Sequence, residues 1–276
     1  MKVFVGMIAH VSLSLCLIVG VRAQNKPLGG QPSQGVKQSV PDLDEQAVYQ
    51  RSFEAVLWAM PASAIYRMRV GFLELPGMAD NVILSYSGPL RTIQEAIMPN
   101  QTTPYICATA DLRSGPVVLE VPAKTSKAVL YGQVVDAWQV TIAGVGPVGE
   151  DKGAGGKYLF LPPGYKGTIP TGYFSVHSDS NRILFAFRSI QLAGATAADA
   201  HAYSKTLKMY PLPEAANPKP TRFVDGLPYP LHTLPFYDIR ALQDIHDIIS
   251  VEAGPATRQG NDGNAGHDWY RTRQAF

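Results

Sequence analysis

Hydrophobic and polar positions divide this chain into blocks with different periods. Positions 3–21 are almost continuously apolar. Residues 24–43 are polar and rich in Gly, Pro and Gln, with little to bury, and read as a disordered leader. A helical period follows. Tyr49, Phe53, Val56, Leu57 and Met60 recur on one side behind Asp44, a candidate N-cap. Pro61 is expected to break or kink this helix, with residues 63–70 as a second piece. Pro89 fits the first turn of a short helix over 89–97.

From residue 103 the period falls to two. Tyr105, Cys107 and Thr109 alternate with Ile106, Ala108 and Ala110. Further β-branched or aromatic runs follow at 117–121, 128–135, 138–143, 157–161, 173–177 and 182–190. No helical interval separates them, which predicts an α+β domain built on an antiparallel, jelly-roll-like sandwich rather than a parallel sheet. A helix is expected from N-cap Thr196 to Met209, stopped by Pro211 and Pro213. Residues 213–235 read as a proline-punctuated linker. Residues 236–251 read as a helix carrying Ile239, Leu242, Ile245, Ile248 and Ile249, and residues 253–276 as a disordered tail. With nothing downstream to pack on, the 236–251 helix is an orphan that offers a surface for homo-oligomerisation.

The N-terminus adds a compartment. Lys2, the apolar run and Val21-Arg22-Ala23 compose a signal peptide over 1–23 with a cleavage site after Ala23. A retained anchor has a similar length, but Gly20 and the small residues at the site favour cleavage. Leu15 before Cys16 argues against lipidation. The product is expected in the periplasm or outside the cell. No later run approaches a membrane span, so no membrane association is expected after cleavage. Loss of Lys2 and Arg22 leaves 22 basic residues against 22 acidic ones. That neutrality gives no reason to expect a nucleic-acid partner. Cys107 then stands alone, so the fold cannot rely on an internal disulfide.

Several blocks resemble one bacterial exported family. They are PNQTTPY (99–105), ADLRSGPVVLEVP (110–122), YGQVVDAWQVTIAGVGP (131–147), GKYLFLPPGYKGTIPTGYFSVHS (156–178) and RILFAFRSI (182–190). The chain resembles proteins carrying "domain of unknown function 1254" over about residues 45–212. The resemblance implies export, a β-rich jelly-roll-like module and no assigned reaction. It also implies a following "domain of unknown function 1214", here missing or truncated, with 213–252 as its beginning. The family's Asn-x-Asp-Thr-x-Tyr pattern falls on Asn100, Thr102, Thr103 and Tyr105, placing threonine where the family has a carboxylate.

Motifs with chemistry are few. Gly144-Val-Gly146-Pro-Val-Gly149 matches a dinucleotide fingerprint as a string, but the Gly-rich stretch after it cannot open a helix, so it reads as a hairpin loop. Neither Gly-x-Ser-x-Gly nor His-Glu-x-x-His occurs, and the histidines never fall at ligand spacing, so neither a metal nor a cofactor is expected. Asp244, His246 and Asp247 read as a solvated helix face. Lys157, Tyr158 and the loop 162–167 could form a rim, and Asn100-Gln-Thr102 is a formal glycosylation acceptor expected to stay bare in a bacterium.

The candidate site lies among polar residues planted in the strands. Alternation puts Tyr131, Gln133 and Val135 on one face and Gly132, Val134, Asp136 and Trp138 on the other. Asp136 beside Trp138 has the composition of a sugar platform, with Asn100, Thr103, Tyr105, Gln133, His177 and Arg188 as further ligand-binding candidates. The plain alternative pairs Asp136 with Arg188 as structure. The function favoured is an envelope module that binds a small polar ligand or glycan without catalysis. The alternative is a glycan- or amide-directed hydrolase or lyase using Asp111 and Asp136 as acid and base.

Overall fold

The computed structural model describes residues 43–96 and 102–252. The chain divides into a short unit, residues 1–47, and a large one, residues 48–276. The signal peptide, the 24–43 leader apart from Leu43, Asn100 and the 253–276 tail lie outside the described residues.

Helix α1 spans Leu43–Leu73 without a break. Pro61 sits inside it, costing a backbone donor and crowding the preceding turn. Within the large unit, the buried side is Ala55, Ala59, Ala62, Ser63, Ile65 and Phe72, whereas Tyr49, Phe53, Leu57 and Met60 are exposed. The period was readable, but the wrong side was expected inward. The buried side carries mostly small side chains, and near the helix end Gly71 lies so close to the chain at His232 that a Cβ there would stand 2.2 Å from its carbonyl oxygen.

The strands are β1 Ile83–Ser85, β2 Gln94–Glu95, β3 Tyr105–Asp111, β4 Val117–Val121, β5 Ala128–Asp136, β6 Thr141–Val145, β7 Gly156–Leu161, β8 Phe174–His177, β9 Arg182–Gln191, β10 Lys208–Pro211, β11 Phe223–Asp225 and β12 Leu231–His232. One six-stranded sheet runs β11-β1-β3-β9-β5-β6, one four-stranded sheet β10-β4-β7-β8, and β12 pairs with β2. The central pairings are antiparallel, but β1–β11, β7–β8 and β2–β12 are parallel. The sheets are therefore mixed, not purely antiparallel. The connection over 162–173 has the length that a parallel neighbour requires.

Two sheets share one core. Ile106, Ala108 and Ala110 of β3, Leu130 and Val134 of β5, and Ile183, Phe185 and Phe187 of β9 meet Val117, Leu119, Tyr158 and Phe160 of the other sheet. The opposite face of the large sheet packs Leu84, Cys107, Val135 and Leu184 against Ile65 and Phe72 of α1. The architecture is α+β: a two-sheet sandwich with a helix against its outer face.

Other expectations need correction. The helix expected over 89–97 is absent from its described part, where Gln94 and Glu95 pair with Leu231 and His232. Helix α2 spans only Ala197–Ser204, opened by the expected N-cap Thr196, which forms a capping box with Asp199. Of the remaining residues expected in it, 205–207 lie outside any element and Lys208 and Met209 enter β10, which completes the small sheet beside β4. The supposed linker contributes β11 and β12. Nor is the last helix, α3 Arg240–Ile249, an orphan. It buries Ala241, Asp244, Ile245 and Ile248, with Ile248 clustered with Ala62, Ala137 and Trp138. Its buried side packs on earlier segments of the chain, while Ile239 just before it stays 68% exposed. Among the described residues, no helix is long and apolar enough to cross a membrane.

Candidate functional site

Strand β9 organises the polar candidates because it pairs with β3 on one edge and β5 on the other. Residues opposite each other across a ladder share a face. Tyr105 lies opposite Arg188, and Arg188 lies opposite Tyr131, so the three form one row across the outer face. The next row is Cys107, Ala186 and Gln133, and the next Thr109, Leu184 and Val135. Helix α1 covers the Leu184 end. At the Arg188 end Tyr131 is 48% exposed, Gln133 is exposed, and Tyr105 and Arg188 are half-buried.

Contacts order this end. The Arg188 guanidinium carbon stands 4.9 Å from the centre of the Tyr105 ring, and its Nη2 donates to Tyr105 Oη at 3.2 Å. A cation held over an aromatic face is attracted by the ring's quadrupole. Thr141 Oγ1 donates to Gln133 Oε1 at 3.0 Å, which orients the amide beside the row. Gly132, between Tyr131 and Gln133, has φ +155°, and a Cβ there would stand 2.3 Å from the Ala186 carbonyl oxygen. Only glycine lets β5 approach β9 this closely, bringing both neighbours alongside Arg188.

Three sequence candidates thus meet: Tyr105, Gln133 and Arg188. Thr103 lies just before β3, half-exposed. His177 is exposed on β8 of the other sheet, opposite Leu161, and does not join them. Tyr131, read only as a face-mate of Gln133, completes the row. Its signal was the odd-numbered alternation itself.

The Asp136–Trp138 platform does not form. Strand β5 ends at Asp136, and residues 137 and 138 turn. Asp136 is buried and its Oδ1 accepts from Trp138 N and Val140 N, both at 2.8 Å. It is the cap of the β5–β6 turn. Burial raises its pKa, while the two amide bonds pull it down. Trp138 is 6% exposed and packs on Trp58 with ring centres 4.6 Å apart. Nor does Asp136 pair with Arg188. It lies opposite Ile183, five residues away along β9, or about 16 Å at roughly 3.3 Å per residue.

The paired-carboxylate idea also fails on register. Asp111 is opposite Arg182 and Asp136 opposite Ile183, and those neighbours point to opposite faces. Asp111 is engaged by Arg113, with Nε at 2.9 Å and Nη2 at 2.5 Å, and by Arg182 Nε at 3.8 Å. The Arg113 hydrogen bond holds its carboxyl below the ordinary value.

The remaining motifs are structural. Residues 146–155 loop without a helix. Asp151 knits the loop by accepting from Gly146 N at 2.7 Å, Gly155 N at 3.2 Å and Tyr158 Oη at 2.9 Å. Tyr158 is fully buried and so forms no rim, while Lys157 stays exposed with its Nζ 3.2 Å from Glu120. Asp244 is clamped by Arg67 and Asp247 accepts from Tyr66 Oη at 2.9 Å. The Cys107 thiol is buried beneath α1, with its pKa pushed up to about 12. Among the described residues, no group of His, Cys, Asp and Glu is arranged to hold a metal.

Fold and site together define a two-sheet α+β domain with an aromatic–arginine row on one partly open face. Residues 81–211 match the model of the family described as "Protein of unknown function (DUF1254)", the family that the sequence blocks resemble. The fold is similar to the crystal structure of the VPA0106 protein from Vibrio parahaemolyticus. The TM-score is 0.50 and the identity 17%, with 72% of this chain and 46% of that one covered. The matched region therefore spans less than half the length of that protein, and the likeness is one of fold. No curated protein matches the chain significantly.

Proposed function

We propose that this is an exported ligand-binding domain acting in the bacterial envelope or outside the cell, and that its ligand lies across the Tyr105–Arg188–Tyr131 row. The ligand class that suits the row is a glycan or other polar ring compound bearing an acidic group. Tyrosine faces stack on the apolar faces of sugar rings, a guanidinium pairs with a carboxylate, and the Gln133 amide supplies both donor and acceptor. The carrying observation is that Arg188 lies between two tyrosines in one cross-strand row and is held by Tyr105. Export is supported by the signal-like first 23 residues. The jelly-roll-like relation of the two sheets is likewise our reading, supported by their shared core.

The test is calorimetric titration of the mature chain with neutral and uronic-acid oligosaccharides, repeated with Arg188→Ala and Tyr131→Ala. Binding of acidic oligomers that weakens at least about tenfold in both variants supports the proposal. Equal binding in the variants contradicts it.

A further inference from the structure

Helix α1 carries two apolar sides, and the large unit buries one of them. Ala55, Ala59 and Ala62 are buried, and Trp58 packs on Trp138 of the β5–β6 turn. Phe53, Val56, Leu57 and Met60 fall on the other side, within an arc of about 100° at 3.6 residues per turn. Phe53, Leu57 and Met60 are 54%, 51% and 53% exposed, and Val56 is half-buried. Glu54, the one charged residue between Phe53 and Met60, lies off this arc and pairs with Arg51 at 2.7 Å. The result is an uninterrupted apolar stripe on a helix fixed from behind.

The spacing of the stripe is its own reverse: three residues, one, then three. Two copies of α1 laid antiparallel about an axis beside the 56–57 peptide therefore match. Phe53 meets Met60 of the second copy, and Val56 meets Leu57 of the second copy. A twofold interface needs this kind of self-complementarity, and antiparallel pairing also opposes the two helix dipoles.

The area agrees with a modest dimer. Half-exposed side chains of this size leave on the order of 100 Å² each. Phe53, Leu57 and Met60 thus offer roughly 300 Å² per copy, in the range of functional patches on monomers. With the flanking residues of both helices, the pair buries about 1,000 Å², the lower limit for a specific interface. The helix also gains from it. Residues 48–54 are exposed apart from half-buried Ser52, and a short helical segment without packing is marginal in water.

We propose that the Phe53–Met60 stripe is the interface of a twofold-symmetric dimer of this chain, in which α1 pairs antiparallel with α1 of a second copy at micromolar affinity. The dimer uses none of the contacts of the Arg188 row, so each can fail without the other.

The test is sedimentation velocity of the mature chain across a range from about 1 to 300 µM. The weight-average mass should climb from that of one chain toward that of two. Phe53→Glu and Leu57→Glu put a charge into the stripe without touching the buried side, and each should weaken dimerisation at least about tenfold. Arg51→Ala, off the stripe, should leave it unchanged, with circular dichroism used to check folding. Orientation is read by mild oxidation of Phe53→Cys mixed with Met60→Cys. The mixture should cross-link faster than either variant alone, and Cys107 is buried and does not compete. A monomer throughout the range, a dimer that both folded glutamate variants leave intact, or a cysteine mixture no faster than its components overturns the proposal. The wild-type mass and the cysteine mixture decide the matter even if a glutamate variant does not fold.

Discussion

Arg188 of β9 stands directly opposite Tyr105 of β3, with its guanidinium 4.9 Å from the tyrosine ring centre and one N–H donated to the phenol oxygen. The same residue faces Tyr131 across its other edge. On the outer face of this sheet, Cys107, Val135 and Leu184 further along pack against Ile65 and Phe72 of α1. An arginine placed where that cover ends is positioned by the fold, yet reachable.

Its replacement should separate binding from stability. Arg188→Lys keeps the charge but loses the planar fork and much of the stacking, so affinity for an acidic oligosaccharide should fall about tenfold. The half-buried cation–ring contact contributes roughly 1 kcal/mol, and for a domain of this size that moves Tm by no more than about 2–4 °C. A loss of affinity accompanied by a large fall in Tm would instead assign Arg188 a structural role.

Asp136 offers a sharper test because both of its amide partners use Oδ1. Asp136→Asn retains that acceptor, whereas Asp136→Ala leaves two amides without it and should cost about 1–3 kcal/mol. Burial raises the carboxyl's pKa in the folded chain above its ordinary 3.8. The aspartate's contribution is therefore greatest below that value and is lost as pH rises through the folded pKa. Urea unfolding should show Asp136→Asn gaining on the wild type as pH rises from 3.8 through the folded pKa.

Asp111 has the opposite sign. Its hydrogen bond to Arg113 lowers the folded pKa below 3.8, so its stabilisation is present above that value and is lost as pH falls through the folded pKa. Asp111→Asn should flatten the acid limb of the stability curve. The Arg113 side chain is 50% exposed, so the pair should be worth at most about 1 kcal/mol at neutral pH.

The Arg67–Asp244 pair should tie α3 to α1. Asp244 is 3% exposed at its side chain, and Arg67 also lies over the Phe236 ring at 3.9 Å. Asp244→Ala leaves a guanidinium largely buried without its carboxylate and should cost about 3–5 kcal/mol. Hydrogen exchange should then accelerate in Arg240–Ile249 before it does in the central strands. Unchanged protection in that helix would return it to the status of a loosely held appendage.

The regions that could be read from sequence were those where period and neighbours agree. β9, expected over 182–190, runs Arg182–Gln191, and β4 spans the expected 117–121. Thr196 was readable as a cap because Asp199 completes its box. Trp138 was misplaced because alternation was carried past the end of β5. An aspartate followed three residues later by Gln139, with φ 64°, is a turn signal, and it outranks the aromatic pattern. Strands β11 and β12 have three and two residues and pair with β1 and β2, more than a hundred residues away, so no local period marks them.

The most direct measurement is a two-dimensional NMR titration of the mature chain with an acidic oligosaccharide. Shifts concentrated on the backbone of Tyr105, Tyr131, Gln133 and Arg188, saturating with one affinity, are the predicted result. Shifts confined to the other sheet around His177, or none at millimolar ligand, contradict a binding face built on Arg188.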